Sequence, residues 1–220
     1  MKNWKWINQY IPLIDTCPEF IGNLEDQKIA PDIQARFNDK MTAYSKVYCE
    51  IGSGSGMHLL ERAQNNPDSF YVGFELRYKR AYKTAQKGER RGIKNSYVFR
   101  GDAALMFDLF PTSSLDGIYV NFPDPWDKKR WEKHRVLHDT FFEKLYPFLK
   151  PDGFFSYKTD HKSYFEKIFE LLQSSKIYTV SKHTFDLHHS EYKGDNVLTE
   201  FEHLFISKQL PIMFLEATKT

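Results

Sequence analysis

The sequence predicts a doubly wound α/β fold: a mostly parallel, seven-stranded sheet with an antiparallel edge. Three observations lead there. Short runs rich in β-branched and aromatic residues alternate with stretches of helical composition from Lys46 to Leu172, the signature of repeated strand–helix units. A glycine turn, Gly52, Gly54 and Gly56, joins the first of these strands to the first helix. Two late strand-like runs then follow with no helix read between them, which suggests the antiparallel edge.

In order, the predicted strands are Lys46–Ile51, Ser69–Leu76, Ser96–Arg100, Leu115–Asn121, Phe154–Lys158, Ile177–Thr184 and Thr199–Ser207. The predicted helices are Met57–Gln64, Arg77–Arg91, Ala103–Phe110 (stopped by Pro111), Leu137–Leu149 and His161–Leu172. Pro151-Asp152-Gly153 reads as a turn. Residues 1–45, with scattered aromatics (Trp4, Trp6, Tyr10, Phe20, Phe37), are expected to form an N-terminal extension of one or two short helices. Residues 209–220 read as a C-terminal tail.

The chain has 220 residues, 41% hydrophobic and 27% charged, enough for one α/β domain with its own core. No run approaches the roughly 20 apolar residues of a membrane helix. The N-terminus lacks a continuous apolar signal region, so no export is expected and the cytoplasm is the expected compartment. Cys17 and Cys49 are the only cysteines; they are expected to be reduced, and nothing near them has metal-ligand spacing.

Net charge is only +2, but it is unevenly spread. Arg77–Lys94 holds eight lysines and arginines against Glu89, and Trp126–Arg135 holds five against Asp127 and Glu132. Two basic segments on a nearly neutral chain suggest a face for a polyanion, although a solvated helix face explains the first equally well.

In an open α/β sheet, ligands bind beyond the carboxyl ends of the strands, at the switch point. Acids gather at those ends: Glu50, Glu75, Asp102, Asp124 and Asp160. Each alone has a plainer reading as a helix cap; together they suggest a cationic ligand. The glycines do not follow the Gly-x-Gly-x-x-Gly dinucleotide spacing, but they still allow close approach to the backbone. Glu75 can accept hydrogen bonds from both hydroxyls of a ribose and disfavours a 2′-phosphate. Asp102 can accept from an adenine amino group, and Glu50 can meet a positive centre. S-adenosyl-L-methionine fits this description; NAD, with its pyrophosphate, fits poorly.

The strings EIGSGSG, GFEL, RGDA, NFPDPWDKKR, YKTD and DLHHSEY…NVLTEFEHLF resemble the tRNA (guanine-N7-)-methyltransferase family over about residues 46–207. The resemblance implies a class I, Rossmann-like methyltransferase domain over 46–208. It implies methyl transfer from S-adenosyl-L-methionine to N7 of a guanine in the variable loop (position 46) of tRNA, by a monomer or homodimer that needs no membrane. Carried over by position, Glu50, Gly52, Gly54, Gly56, Glu75, Asp102 and Asp124 are expected to bind the cofactor. Asp124 is also the expected catalytic residue. Lys128, Asp160, Thr199, Glu200, Phe201 and Glu202 are expected to bind substrate, and Arg130, Lys133 and Arg135 to bind RNA. The last segment, RWEKHR, is less basic than the family pattern. Competing readings are a methyltransferase acting on an exocyclic amino group or a small molecule, and a non-catalytic RNA-binding subunit.

Overall fold

A computed structural model describes residues 8–24 and 28–220; the positions of Trp4 and Trp6 lie outside the described residues. One eight-stranded sheet organises the chain. Its strands are β1 (Ile21–Asn23), β2 (Lys46–Ile51), β3 (Ser69–Glu75), β4 (Ser96–Arg100), β5 (Leu115–Asn121), β6 (Leu149–Thr159), β7 (Tyr178–Thr184) and β8 (Met213–Lys219). The order across the sheet is β1-β4-β3-β2-β5-β6-β8-β7. Strands β1 to β6 pair in parallel; β8 runs antiparallel to both β6 and β7.

The helices are α1 (Ile11–Ile14), α2 (Pro31–Thr42), α3 (Met57–Asn65), α4 (Tyr78–Arg90), α5 (Met106–Leu109), α6 (Asp139–Leu145), α7 (Lys162–Gln173) and α8 (Glu200–Ser207). They cover both faces. Leu59, Leu60 and Ala63 of α3 and Ala81 and Ala85 of α4 pack with Tyr71 and Tyr119 on one face. Phe37 of α2, Phe141 and Phe142 of α6 and Phe165 of α7 pack with Val47, Cys49, Ile118 and Phe155 on the other. Because side chains alternate along a strand, Val47, Cys49 and Ile51 face α2 and α6. Glu50 is thereby turned toward α3.

The mixed sheet with an antiparallel edge is as expected, with two differences in its elements. Ile21–Asn23 adds a short eighth strand that pairs with β4. More consequentially, Thr199–Ser207 is not the late strand. Thr199 and Glu202 form a capping box, each side chain bonding the other's backbone N–H, and a helix follows. The late strand is instead Met213–Lys219, within the stretch expected to be a tail. Met213, Leu215 and Ala217 are buried at a period of two, and β8 lies between β6 and β7. Leu137–Leu149 is also less helical than its apolar pattern suggests: α6 ends at Leu145, and Pro147 stands in the single 3₁₀ turn that follows.

Both cysteines are free and buried. No helix among the described residues is long and apolar enough to cross a membrane.

An interior position for β8 predicts that deleting residues 213–220 abolishes cooperative unfolding in a urea titration. A truncated chain that unfolds with the full-length midpoint would contradict the placement.

Candidate functional site

The strand order reverses between β2 and β5, so the switch point lies where Ile51-Gly52 and Asn121-Phe122 leave the sheet. A cleft opens there. It is lined by Glu50, the turn from Gly52 to Ser55, His58, Asn121, Phe122 and Thr199–Phe201.

The turn has its shape because its glycines allow it. Gly52, Gly54 and Gly56 all have positive φ, which a side chain resists. A Cβ on Gly56 would lie 2.2 Å from Thr84 Cγ2, whereas one on Gly52 would meet nothing within 4 Å. Gly56 therefore packs the turn against α4, and Gly52 leaves the cleft side open. Lys87 of α4 adds a bond from Nζ to the Ser55 carbonyl at 2.9 Å. Glu75, at the end of β3, accepts from Gly54 N–H at 3.0 Å and from Arg77 N–H at 2.8 Å. That leaves one lone pair free on each of its oxygens.

Glu50 is buried beneath the turn. Its Oε1 accepts from Asn121 Nδ2 at 2.9 Å and lies 3.2 Å from His58 Nδ1. Arg62 Nε donates to His58 Nε2 at 3.3 Å, so the ring proton belongs on Nδ1, facing Glu50. Burial pushes His58 below its ordinary value of 6.5, against the pull of Glu50; the ring is neutral. Burial alone would raise Glu50, but its His58 and Asn121 partners and the charge of Lys158 outweigh this and hold the carboxyl low. The second oxygen, Oε2, is buried and has no hydrogen-bond partner among the described residues, and the same holds for Ser53 Oγ and Asn121 Oδ1.

The expected S-adenosyl-L-methionine can be tested against these atoms. An anionic carboxylate with an unused buried oxygen suits a cationic ligand. The open side of Gly52 admits close approach, and the free lone pairs of Glu75 suit hydroxyl donors. These residues fit the group. Asp102 contributes less plainly: it is exposed and caps a 3₁₀ turn, with Oδ1 accepting from Ala104 N–H at 2.9 Å.

The loop after β5 is pinned at three points. Phe122 takes positive φ, donates its N–H to the Lys158 carbonyl at 2.8 Å and packs its ring against Phe201 and Phe205 of α8. Asp127 meets His161 Nε2 at 2.5 Å. Arg135 donates from Nε to the Pro125 carbonyl at 2.6 Å, and its guanidinium lies over the Tyr164 ring. Arg135 is 8% exposed; it acts as a strut of the loop and has little surface to offer the RNA it is expected to bind. Between the pins, Asp124, Lys128, Arg130 and Lys133 are exposed. Lys128 and Arg130 both lie against the Trp131 ring, at 4.8 and 4.9 Å. Asp160 is exposed too, but His161, not Asp160, caps α7.

Of the expected substrate residues on α8, Glu200 and Phe201 are exposed at the cleft, with Phe201 44% exposed. Thr199 and Glu202 are buried and engaged with each other. Glu202 also takes Lys158 Nζ at 2.6 Å. Sequence reasoning assigns no role to Lys158, His58 or Arg62. The available signal is a set of polar residues on one strand face, Glu50, Asn121 and Lys158, in three adjoining strands.

An open parallel sheet with a glycine turn and acids at its switch point defines a class I, Rossmann-like methyltransferase. The 16S rRNA methyltransferase KamB shares this fold, with a TM-score of 0.62 over 88% of this chain and 95% of that chain, at 14% identity. A family model described as "Putative methyltransferase" matches residues 44–215. The tRNA (guanine-N(7)-)-methyltransferase of Lactobacillus helveticus is 33% identical over 219 residues, 99% of this chain and 97% of that protein. A bifunctional glycosyltransferase/methyltransferase of Fusobacterium nucleatum is 34% identical over 91% of this chain, which spans only 31% of that longer protein. The chain belongs to the tRNA (guanine-N(7)-)-methyltransferase family.

His58 resists protonation when folded, whereas an unfolded histidine takes up a proton near 6.5. Folding stability is therefore expected to fall as pH drops through 6.5, with His188, also lowered by burial, adding in the same direction. Urea titrations across this range should show a shallower pH dependence for His58→Gln. An unchanged slope would mean that the His58 proton is not excluded.

Proposed function

We propose that this protein methylates N7 of a guanine in tRNA, with S-adenosyl-L-methionine as donor. The observation that carries this reading is a shared loop: Asn121 and Phe122 line the cofactor cleft, while the same loop exposes Asp124, Lys128, Arg130 and Lys133. Donor site and polyanion-binding cations are thus joined by a few residues of rigid chain, Asp124 being held between Pro123 and Pro125.

When bound, S-adenosyl-L-methionine supplies a methyl group on a positively charged sulfur. Glu50, with its unused oxygen, and the turn from Gly52 to Gly56 would hold it, and Glu75 would take its ribose. Guanine N7 has an in-plane lone pair and no proton, so the task of the protein is placement rather than proton removal. Asp124 and Asp160 follow the ends of the paired strands β5 and β6, and no hydrogen bond or ion pair engages either carboxylate among the described residues. They suit the N1–H and amino donors of guanine, a pattern adenine does not present. Asp124 also stabilises positive charge as it develops on the purine. Lys128, Arg130 and Lys133 would grip phosphate, with Trp131 stiffening the first two through their ring contacts. Glu200 and Phe201 would bound the base from the α8 side. The partner is tRNA and the compartment the cytoplasm.

Asp124→Ala should lower methyl transfer by about 100-fold or more while leaving the thermal midpoint in place, since the side chain is exposed and unpaired. Near wild-type turnover would remove Asp124 from the chemistry. Replacing Lys128, Arg130 and Lys133 together by alanine should weaken tRNA binding and reduce the slope of log affinity against log salt by about 0.7 for each phosphate no longer neutralised. An unchanged slope would place the RNA elsewhere, with the exposed cations of α4 next in line.

A further inference from the structure

Glu202 lies in the segment expected to touch substrate, yet its carboxylate is sealed from solvent and already accepts three hydrogen bonds. Its side chain is 0% exposed. Oε2 takes Lys158 Nζ at 2.6 Å and Thr199 N–H at 2.8 Å, and Oε1 takes Asn196 Nδ2 at 2.8 Å. Lys158, equally buried, spends its three protons on Glu202, Asn196 Oδ1 and the Val197 carbonyl, the latter two at 3.0 Å. Every proton of Lys158 is used, and the one lone pair left on Glu202 Oε1 is sealed from solvent, with His188 Nε2 3.7 Å away.

What this cluster does hold is the approach to α8. Val197, Asn196 and Thr199 are the residues through which the chain enters the helix, and Thr199, Glu200 and Phe201 form one side of the cleft. The other side is set by the same lysine, because the Lys158 carbonyl holds the Phe122 N–H and the Phe122 ring packs on Phe201 and Phe205. Lys158 stands beside Asn121 in the β5–β6 register, on the strand face that also carries Glu50. One residue of β6 thus fixes the glycine-turn cleft from two directions.

We propose that Lys158 and Glu202 are positioning residues, whose buried ion pair sets the first turn of α8 as a wall of the methyl-donor cleft. Glu202 then governs donor affinity without touching donor or tRNA. This rests on the reading of the cleft as the donor site.

The test uses the full chain as wild type, Lys158→Met, Glu202→Gln, the double variant, and Phe201→Ala. Calorimetric binding of S-adenosyl-L-methionine is measured well below each thermal midpoint, with amide hydrogen exchange over residues 199–207 in the donor-free protein. Each single variant of the pair is expected to raise the donor Kd about tenfold or more and to speed exchange in the first turn of α8; the double variant should be no worse than the worse single. Phe201→Ala removes part of the wall but spares the pair, so it should weaken donor binding with the thermal midpoint unchanged. A folded Glu202→Gln that keeps the donor Kd within about twofold and raises only the KM for tRNA would make Glu202 a substrate-binding residue and overturn the proposal. If the pair variants do not fold, unchanged donor affinity in Phe201→Ala overturns it. A wild-type protein that binds no donor would overturn the cleft reading itself, a different failure from variants that bind donor as the wild type does.

Discussion

A lysine and a glutamate buried together must satisfy each other, because neither is hydrated and an unpaired charge in that position is expensive. Lys158 and Glu202, 2.6 Å apart, meet that demand with help from Asn196, Thr199 and the Val197 carbonyl. Burial lowers Lys158 and Glu202 raises it, and the balance leaves it low; burial raises Glu202, and Lys158 together with the hydrogen bonds from Asn196 and Thr199 more than reverses it. Removing one partner from such a pair typically costs about 3–5 kcal/mol, while replacing both by apolar groups often costs little. The pair therefore specifies an arrangement more than it adds stability. Here the arrangement is a sheet strand, a loop and a helix brought to one cleft.

The cleft depends on a division of labour among acids that look alike in sequence. Glu75 fixes the glycine turn through backbone amides. Glu50 is held by His58 and Asn121 and keeps one oxygen unused. Glu202 is buried and bound to Lys158, Asn196 and Thr199. Asp124 and Asp160 stand free at the surface. Burial and partners, not residue type, separate the structural carboxylates from those available to a ligand. The same holds for the cations of the loop after β5, where Arg135 is a strut and Lys128, Arg130 and Lys133 are available.

Much of this is legible in the residues. The alternation of strands and helices, the glycine turn and the acids at strand ends are local signals, and they lead to the sheet and to its switch point. What is not legible has physical causes. Leu204-Phe205-Ile206 is apolar enough to read as a strand, and it outweighs the capping box announced by Thr199 and Glu202, three residues apart. Met213–Lys219 alternates at a period of two, but it is short and terminal, so its place inside the sheet depends on long-range pairing with β6 and β7. Arg135 looks like its basic neighbours, because only the fold brings Tyr164 and the Pro125 carbonyl to it. Lys158 gives a faint signal, one cation at the end of the apolar strand Phe154–Tyr157, and its partner lies in a helix whose residues read as a strand.

Methyl transfer to guanine N7 in tRNA, served by this fold and this cleft, is tested most directly on the product. The protein is incubated with unmodified tRNA and methyl-labelled S-adenosyl-L-methionine, and the RNA is digested to nucleosides that are separated by mass and retention. Label is expected in 7-methylguanosine alone. Label in an amino-methylated nucleoside, or no transfer to tRNA at all, would contradict the proposed function.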